Sequence, residues 1–126
     1  MDSNRPDDSQ MAEFDRYIAF WQRELGLLSW RIERGKKPAQ RGAMAEVEIN
    51  PESRLATYRL GDWQGDEINS ESLSKTALHE VLHVLLFELI ETCKDPRASD
   101  VAYNVTEHAV INVLERVLFD HVKSRR

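Results

Sequence analysis

The chain has 126 residues, a length that fits one domain. Its one cysteine, Cys93, excludes an intramolecular disulfide, and no signal-peptide pattern opens the sequence, so we expect a cytoplasmic protein. The net charge of −5 argues against a general nucleic-acid binder, and no apolar run reaches the ~20 residues that a membrane span needs.

The first half of the chain begins with nine residues that contain almost no large apolar group. We expect them to form a disordered arm before a single domain over residues 10–122. Residues 10–25 carry apolar side chains at three- and four-residue steps, which predicts an amphipathic helix that ends at Gly26. These side chains are Met11, Phe14, Tyr17, Ile18, Trp21 and Leu25.

Three short runs with alternating apolar residues follow, over 27–34, 45–50 and 55–60, and they predict a small three-stranded sheet. Residues 50–53 have the composition of a tight turn, so we expect the second and third strands to form an antiparallel hairpin. The segment 31–41 is rich in arginine and lysine. It is typical of a solvated loop, and an anionic partner or a DNA-associated substrate is the alternative.

Two long helices complete the chain. The first has Ser70 or Ser72 as its predicted N-cap and runs to about residue 92, and the apolar residues around its whole axis predict a buried helix. The second runs over 99–122 with Ser99 as a plausible N-cap, and residues 123–126 form a frayed basic tail. The order of elements predicts an α+β fold in which the small sheet packs on a helix layer.

The first long helix contains an HExxH motif, formed by His79, Glu80 and His83. The i, i+4 spacing puts both imidazoles on one helix face, where both can bind one metal ion. Glu80 is rotated by about 100° from His79 and is suited to act as a general base. The motif therefore predicts one zinc ion per chain, held by His79 and His83.

A catalytic zinc usually has three protein ligands, so a third must be sought. The metzincin arrangement is excluded, because Leu86 and Leu89 replace its glycine and its third histidine. We expect Glu107, at the centre of the apolar stripe predicted for the last helix, to point inward and to be the third ligand. The alternatives are His108 and Asp100. The stripe comprises Tyr103, Val110, Ile111, Leu114, Val117 and Leu118.

The stretch TALHEVLHVL at residues 76–85 resembles the extended zincin pattern, and a later helix bearing Glu107 resembles the glutamate helix of gluzincins. The order of elements over 27–118 is similar to that of the single-domain minigluzincins and of small phage-encoded zincin-like proteins. The resemblance implies a minimal zincin-like domain with an active-site helix and a glutamate helix. It also implies a zinc metallopeptidase that acts on peptide or protein substrates, with Glu80 as the base.

A second hydrogen-bond donor would help to stabilise the charge that develops on a substrate carbonyl, and Tyr103 is our candidate for this catalytic role. A core aromatic role for Tyr103 is the alternative. Two other interpretations of the whole chain remain open. One is a zinc-stabilised binding or regulatory module without turnover, related to phage proteins, and the other is a helical domain without metal.

Overall fold

The structure is a computed structural model that describes residues 3–124. Three helices and three strands follow one another along the chain, and the predicted α+β class is confirmed. Within these residues no helix is both long and apolar enough to cross a membrane. The elements are α1 (Asp8–Glu24), β1 (Arg31–Arg34), β2 (Ala45–Asn50), β3 (Leu55–Leu60), α2 (Ser70–Lys94) and α3 (Asp100–Ser124).

The sheet has the strand order β1-β3-β2, so β3 lies at its centre. β2 and β3 form the predicted antiparallel hairpin, with Asn50 opposite Leu55. β1 runs parallel to β3 and is shorter than predicted, because residues 27–30 form turns instead of strand. β2 is therefore an edge strand, with a strand neighbour on one side only in the described part of the chain.

α1 and α2 cover one face of the sheet, and the core lies between this face and the two helices. Every second residue of β3 points into it, since side chains alternate along a strand. α1 contributes the apolar stripe that its sequence predicts, and Gly26 after it has a positive φ of 69° that suits glycine. The main buried cluster comprises Phe14, Ile18, Leu25, Tyr58, Leu60, Trp63, Leu73, Ala77 and Val81.

The N-terminal segment differs from the prediction of a disordered arm. Asn4 accepts a hydrogen bond from the backbone of Trp63 at 2.8 Å, and Asp7 caps α1, which already begins at Asp8. These polar contacts and the burial of Pro6 order a segment without large apolar side chains, while Met1 and Asp2 lie outside the described residues. At the other end, Lys123 and Ser124 belong to α3 instead of a frayed tail, and residues 125–126 are outside the described range.

α2 and α3 form a helical hairpin around residues 95–99. The predicted N-cap is confirmed, because the Ser99 hydroxyl accepts a hydrogen bond from the backbone N–H of Ala102 at 3.1 Å. α3 turns a narrow face toward the rest of the molecule, and Val110 on this face is the one buried residue of the helix. The half-buried neighbours of Val110 on this face are Tyr103, Thr106, Val113 and Val117.

Candidate metal centre

His79 and His83 lie one turn apart on α2, and their rings are adjacent, with centroids 5.0 Å apart and ring planes inclined by 75°. Both side chains are exposed. The prediction that the whole α2 helix is buried is therefore wrong on this side. α1, the sheet and α3 cover three sides of the helix, and the fourth side, which carries the histidines, remains open.

Glu80 is the buried member of the motif, with only 5% of its surface exposed. Burial raises the pKa of its carboxyl group above the usual value for glutamate, and the nearby charge of Glu46 acts in the same direction. The neighbouring His83 and His79 lower this pKa, but burial has the larger effect. Glu80 is thus a carboxylate held between an apolar core and two imidazoles, which is a typical environment for a functional base.

These three side chains line one open groove with a volume of about 460 Å³. Its other wall is β2, through Ala45, Glu46, Val47 and Ile49, and α2 extends the groove toward Lys94. The 55–60 strand could pair with an extended peptide only if it lay at an edge of the sheet. It is β3, at the centre, so that condition is not met, and β2 is the edge strand beside the histidines.

Glu107 is exposed, so the prediction that it points inward is wrong. Its side chain lies beside the core-facing side of α3, next to Ile111 and Leu114, which are exposed as well. His83 and Glu107 also lie at different distances from the turn that joins α2 and α3. His83 lies eleven residues before Lys94, whereas Glu107 lies seven residues after Asp100, a mismatch of about 6 Å along the helices.

The other predicted site residues are also distant from the histidine pair. The Tyr103 hydroxyl donates to the backbone oxygen of Cys93 at 3.4 Å, and Cys93 lies ten residues, or about 15 Å, beyond His83 on α2. The alternative ligand His108 is exposed, and its Nδ1 lies 2.8 Å from the backbone oxygen of Asn104. Asp100 lies in the first turn of α3, at the hairpin end.

Two adjacent imidazoles are suited to two of the ligand positions of a zinc ion. Among residues 3–124, however, no group of three or more histidine, cysteine, aspartate or glutamate side chains is close enough to hold a metal ion. The fit to a catalytic zinc site is therefore partial. The histidine pair and the adjacent base are present, and the described chain does not bring a third ligand to them.

Comparison with protein-family models, with curated proteins and with solved structures found no match to this chain. Sequence reasoning missed the contribution of β2 to the groove, and of Glu46 to the charge around Glu80. The alternation of Ala45, Val47 and Ile49 identified β2 as a strand. Nothing in that alternation indicated that the strand lies beside the histidines.

Proposed function

We propose that the chain is a zinc-dependent metallopeptidase, with His79 and His83 as metal ligands and Glu80 as the general base. What carries the proposal is the combination of two exposed, adjacent imidazoles with a buried carboxylate in one groove. Zinc bound at such a site supplies Lewis acidity, which polarises a substrate carbonyl and lowers the pKa of water to about 7. In a protein substrate, the peptide bond that is cleaved lies in an accessible, unstructured segment.

Glu80 accepts a proton from the attacking water and passes it to the leaving amine. Its raised pKa strengthens it as a base, because a carboxylate with a pKa nearer to neutral holds a proton more firmly. Burial also keeps the side chain in one position on α2. The two histidines adjoin it on the open side of the helix, where a substrate has access.

β2 supports the choice of a peptide as substrate. It forms one wall of the groove and has a free edge in the described structure, so an extended peptide can add to it as a further strand. The apolar side chains of β2 that line the groove, and Phe87 and Ile90 of α2, are suited to contact apolar side chains of that peptide.

The test begins with zinc content and with cleavage of a library of fluorogenic peptides. We expect one zinc per chain in protein purified without chelators, and measurable cleavage that EDTA abolishes. Glu80→Gln preserves the shape of the side chain and removes the base, so it should retain zinc and lose about 100-fold or more of the activity. Equal cleavage by the wild type and by Glu80→Gln would contradict the mechanism.

A zinc-stabilised binding module is the second candidate function. The observation that bears on it is that Glu107 is exposed and is not grouped with the histidines, so the three-ligand site that a zinc peptidase needs is not complete in the described chain. A module of this kind needs no base for turnover. Stoichiometric zinc in both the wild type and Glu80→Gln, with no cleavage by either protein, would support this candidate over the peptidase.

A further inference from the structure

Basic side chains from two distant parts of the chain meet beside the loop that joins β1 to β2. One of them precedes α1, and the others belong to the end of β1 and to this loop. Together they line a cavity of about 270 Å³, which we call the basic cavity. Among residues 3–124, no carboxylate lines this cavity, although the whole chain has a net charge of −5. The four cations are Arg5, Arg34, Lys36 and Lys37.

The loop that carries the two lysines is held against the end of β3. The backbone N–H of Gly35 donates a hydrogen bond to the backbone oxygen of Tyr58 at 2.8 Å. The backbone N–H of Ala39 donates to the backbone oxygen of Leu60 at 3.0 Å. Both lysines lie between these two bonds, so the backbone that carries them is already ordered. A bound anion therefore has to order only their side chains, which lowers the entropic cost of binding.

Arg34 is oriented by two contacts with α1. Its Nε lies 3.2 Å from Oδ1 of Asp15, and its Nη1 lies 3.2 Å from the sulfur of Met11. Asp15 is itself fixed, because the same oxygen accepts a hydrogen bond at 2.7 Å from the hydroxyl group of the buried Tyr58. A guanidinium group has five N–H donors, so these contacts leave others for an anion in the basic cavity.

Arg5 lines the basic cavity and also a neighbouring cavity of about 480 Å³, which we call the polar cavity. The backbone on both sides of Arg5 is fixed, because the backbone N–H of Asn4 donates to Oδ1 of Asp62 at 2.8 Å and Pro6 is buried. Arg5 thus joins the two cavities into one continuous site, in which a single small molecule can contact both.

The polar cavity is suited to hydroxyl groups. Its lining includes Gln40, Asp62 and Gln64. Hydrogen bonds from the backbone N–H groups of Asn4 and Gln64 lower the pKa of Asp62, so this carboxyl group is ionised at neutral pH. Both bonds go to Oδ1, which leaves Oδ2 for a hydroxyl group of a ligand. The same negative charge repels a phosphate, so a phosphate is favoured in the basic cavity instead.

We propose that these two cavities bind a sugar phosphate, with its phosphate in the basic cavity and its hydroxyl groups in the polar cavity. A phosphate monoester carries a charge of about −1.5 to −2 at pH 7, and arginine binds it through paired, charge-assisted hydrogen bonds. The site does not use His79 or His83. Binding is therefore independent of zinc and of the proposed peptidase activity.

The charge of the whole chain favours a small ligand over a nucleic acid. A nucleic acid needs cations along an extended surface, and its many phosphates would approach a protein with a net charge of −5. A sugar phosphate needs only the local cations of the basic cavity. The two cavities are also suited in size to small molecules, whose binding sites typically measure about 300–1,000 Å³.

The first experiment is isothermal titration calorimetry with ribose 5-phosphate, on zinc-free protein from which the chelator has been dialysed away. We expect one site per chain with a dissociation constant below about 1 mM, and at least about tenfold weaker binding by Arg5→Gln and by Lys37→Gln. Arg31→Gln is the matched control. It removes the same charge from β1, but Arg31 pairs with Glu33 and lines neither cavity, so the constant should change by less than about threefold.

Circular dichroism shows whether each variant is folded, which we expect because Arg5, Arg31 and Lys37 are all exposed. A wild type that does not bind ribose 5-phosphate at concentrations up to about 10 mM would overturn the proposal. So would equal binding by the wild type and by folded Arg5→Gln and Lys37→Gln, since the basic cavity would then not hold the phosphate.

The second experiment separates the two parts of the ligand. Inorganic phosphate should bind at least about threefold more weakly than ribose 5-phosphate, and ribose should not bind measurably. Gln40→Ala should weaken the binding of ribose 5-phosphate by about threefold or more and leave that of inorganic phosphate unchanged, because Gln40 lines only the polar cavity of the two. Equal affinities for both probes in the wild type would overturn the part assigned to the polar cavity.

A single-stranded oligonucleotide of about 20 residues tests the alternative of a nucleic-acid surface. We expect it to bind more weakly than ribose 5-phosphate at about 0.15 M salt. If it binds at least about tenfold more tightly, and Lys37→Gln weakens this binding, the basic side chains are part of a nucleic-acid surface and the sugar-phosphate proposal is wrong.

Discussion

Glu80→Gln should stabilise the metal-free protein at neutral pH, although it removes the proposed catalytic base. Only 5% of the surface of Glu80 is exposed, and burial is the main cause of the raised pKa of its carboxyl group. At neutral pH the folded chain must therefore either hold this charge in a buried place or keep a proton that the unfolded chain releases, and each of these costs free energy. An amide of the same shape avoids that desolvation, and we expect a gain of about 0.5–2 kcal/mol.

The effect has a definite pH dependence. Below the ordinary pKa of glutamate the carboxyl group is protonated in both the folded and the unfolded states, so the wild type and Glu80→Gln should be similarly stable. As the pH rises, the unfolded chain releases the proton before the folded chain does, because the folded pKa is the higher one. The wild type then loses stability relative to the variant until the folded-state pKa is passed.

The assay is urea and thermal unfolding in EDTA at a series of pH values between about 4 and 8. A gain of 1 kcal/mol corresponds to a rise of about 3–5 °C in Tm for a domain of this size. Glu91→Gln is the matched control, because Glu91 lines the same groove but is exposed, and it should change stability by less than about 0.5 kcal/mol. If Glu80→Gln is no more stable than the wild type at neutral pH, the folded protein does not hold Glu80 as a costly buried charge.

Three further predictions concern metal binding and packing. Zinc at 100 times its dissociation constant should stabilise the wild type by about 2.7 kcal/mol, and thermal shift assays should find this gain lost in His83→Ala and retained in His108→Ala. Glu107→Ala should change zinc affinity by less than about threefold in competition with a chromogenic chelator, because Glu107 is exposed and away from the histidines; a larger loss would restore it as a ligand. Gly61→Ala should destabilise the fold by about 1–3 kcal/mol or more in urea unfolding, since its new methyl group would collide with the backbone oxygen of Ala43, whereas Gly65→Ala has free space and should be nearly neutral.

The sequence predicts the helices and the hairpin well, because local chemistry decides them. The periodic apolar residues of α1, Gly26 after it and the Ser99 cap of α3 each act within a few residues. The N-cap of α2 is Asn69 instead of the predicted Ser70 or Ser72, and its side chain accepts a hydrogen bond from the backbone of Ser72. Such a shift leaves the histidine spacing unchanged, so the adjacency of His79 and His83 was also predictable.

The orientation of α3 was not predictable in the same way. Ile111, Leu114 and Leu118 are exposed, but on a helical wheel they count equally with the residues that face the core. Because these exposed residues were included, the predicted centre of the apolar stripe fell at Glu107. The side of α3 that packs on the core includes Val113 and Val117. A sequence does not distinguish an apolar side that packs within the chain from one that remains uncovered.

The order of the strands in the sheet was the other feature that could not be predicted from the sequence. Three short runs of alternating residues fix which side chains share a face, but not which strand lies in the middle. The hairpin made β2 and β3 neighbours, and β1 could have joined either of them. Its parallel pairing with β3 leaves β2 at the edge and so determines the wall of the groove.

The central position of β3 also has a consequence for the order in which a newly synthesised chain folds. β3 is the last strand to be made, and it supplies the hydrogen-bond partners of both others. While the ribosome is still adding residues 55–60, β1 and β2 have no sheet to join. α2 and α3, by contrast, pair across a short turn and need no earlier segment to meet each other. We therefore expect β1 and β2 to stay unpaired until β3 has been made, and all three strands then to pair in one step.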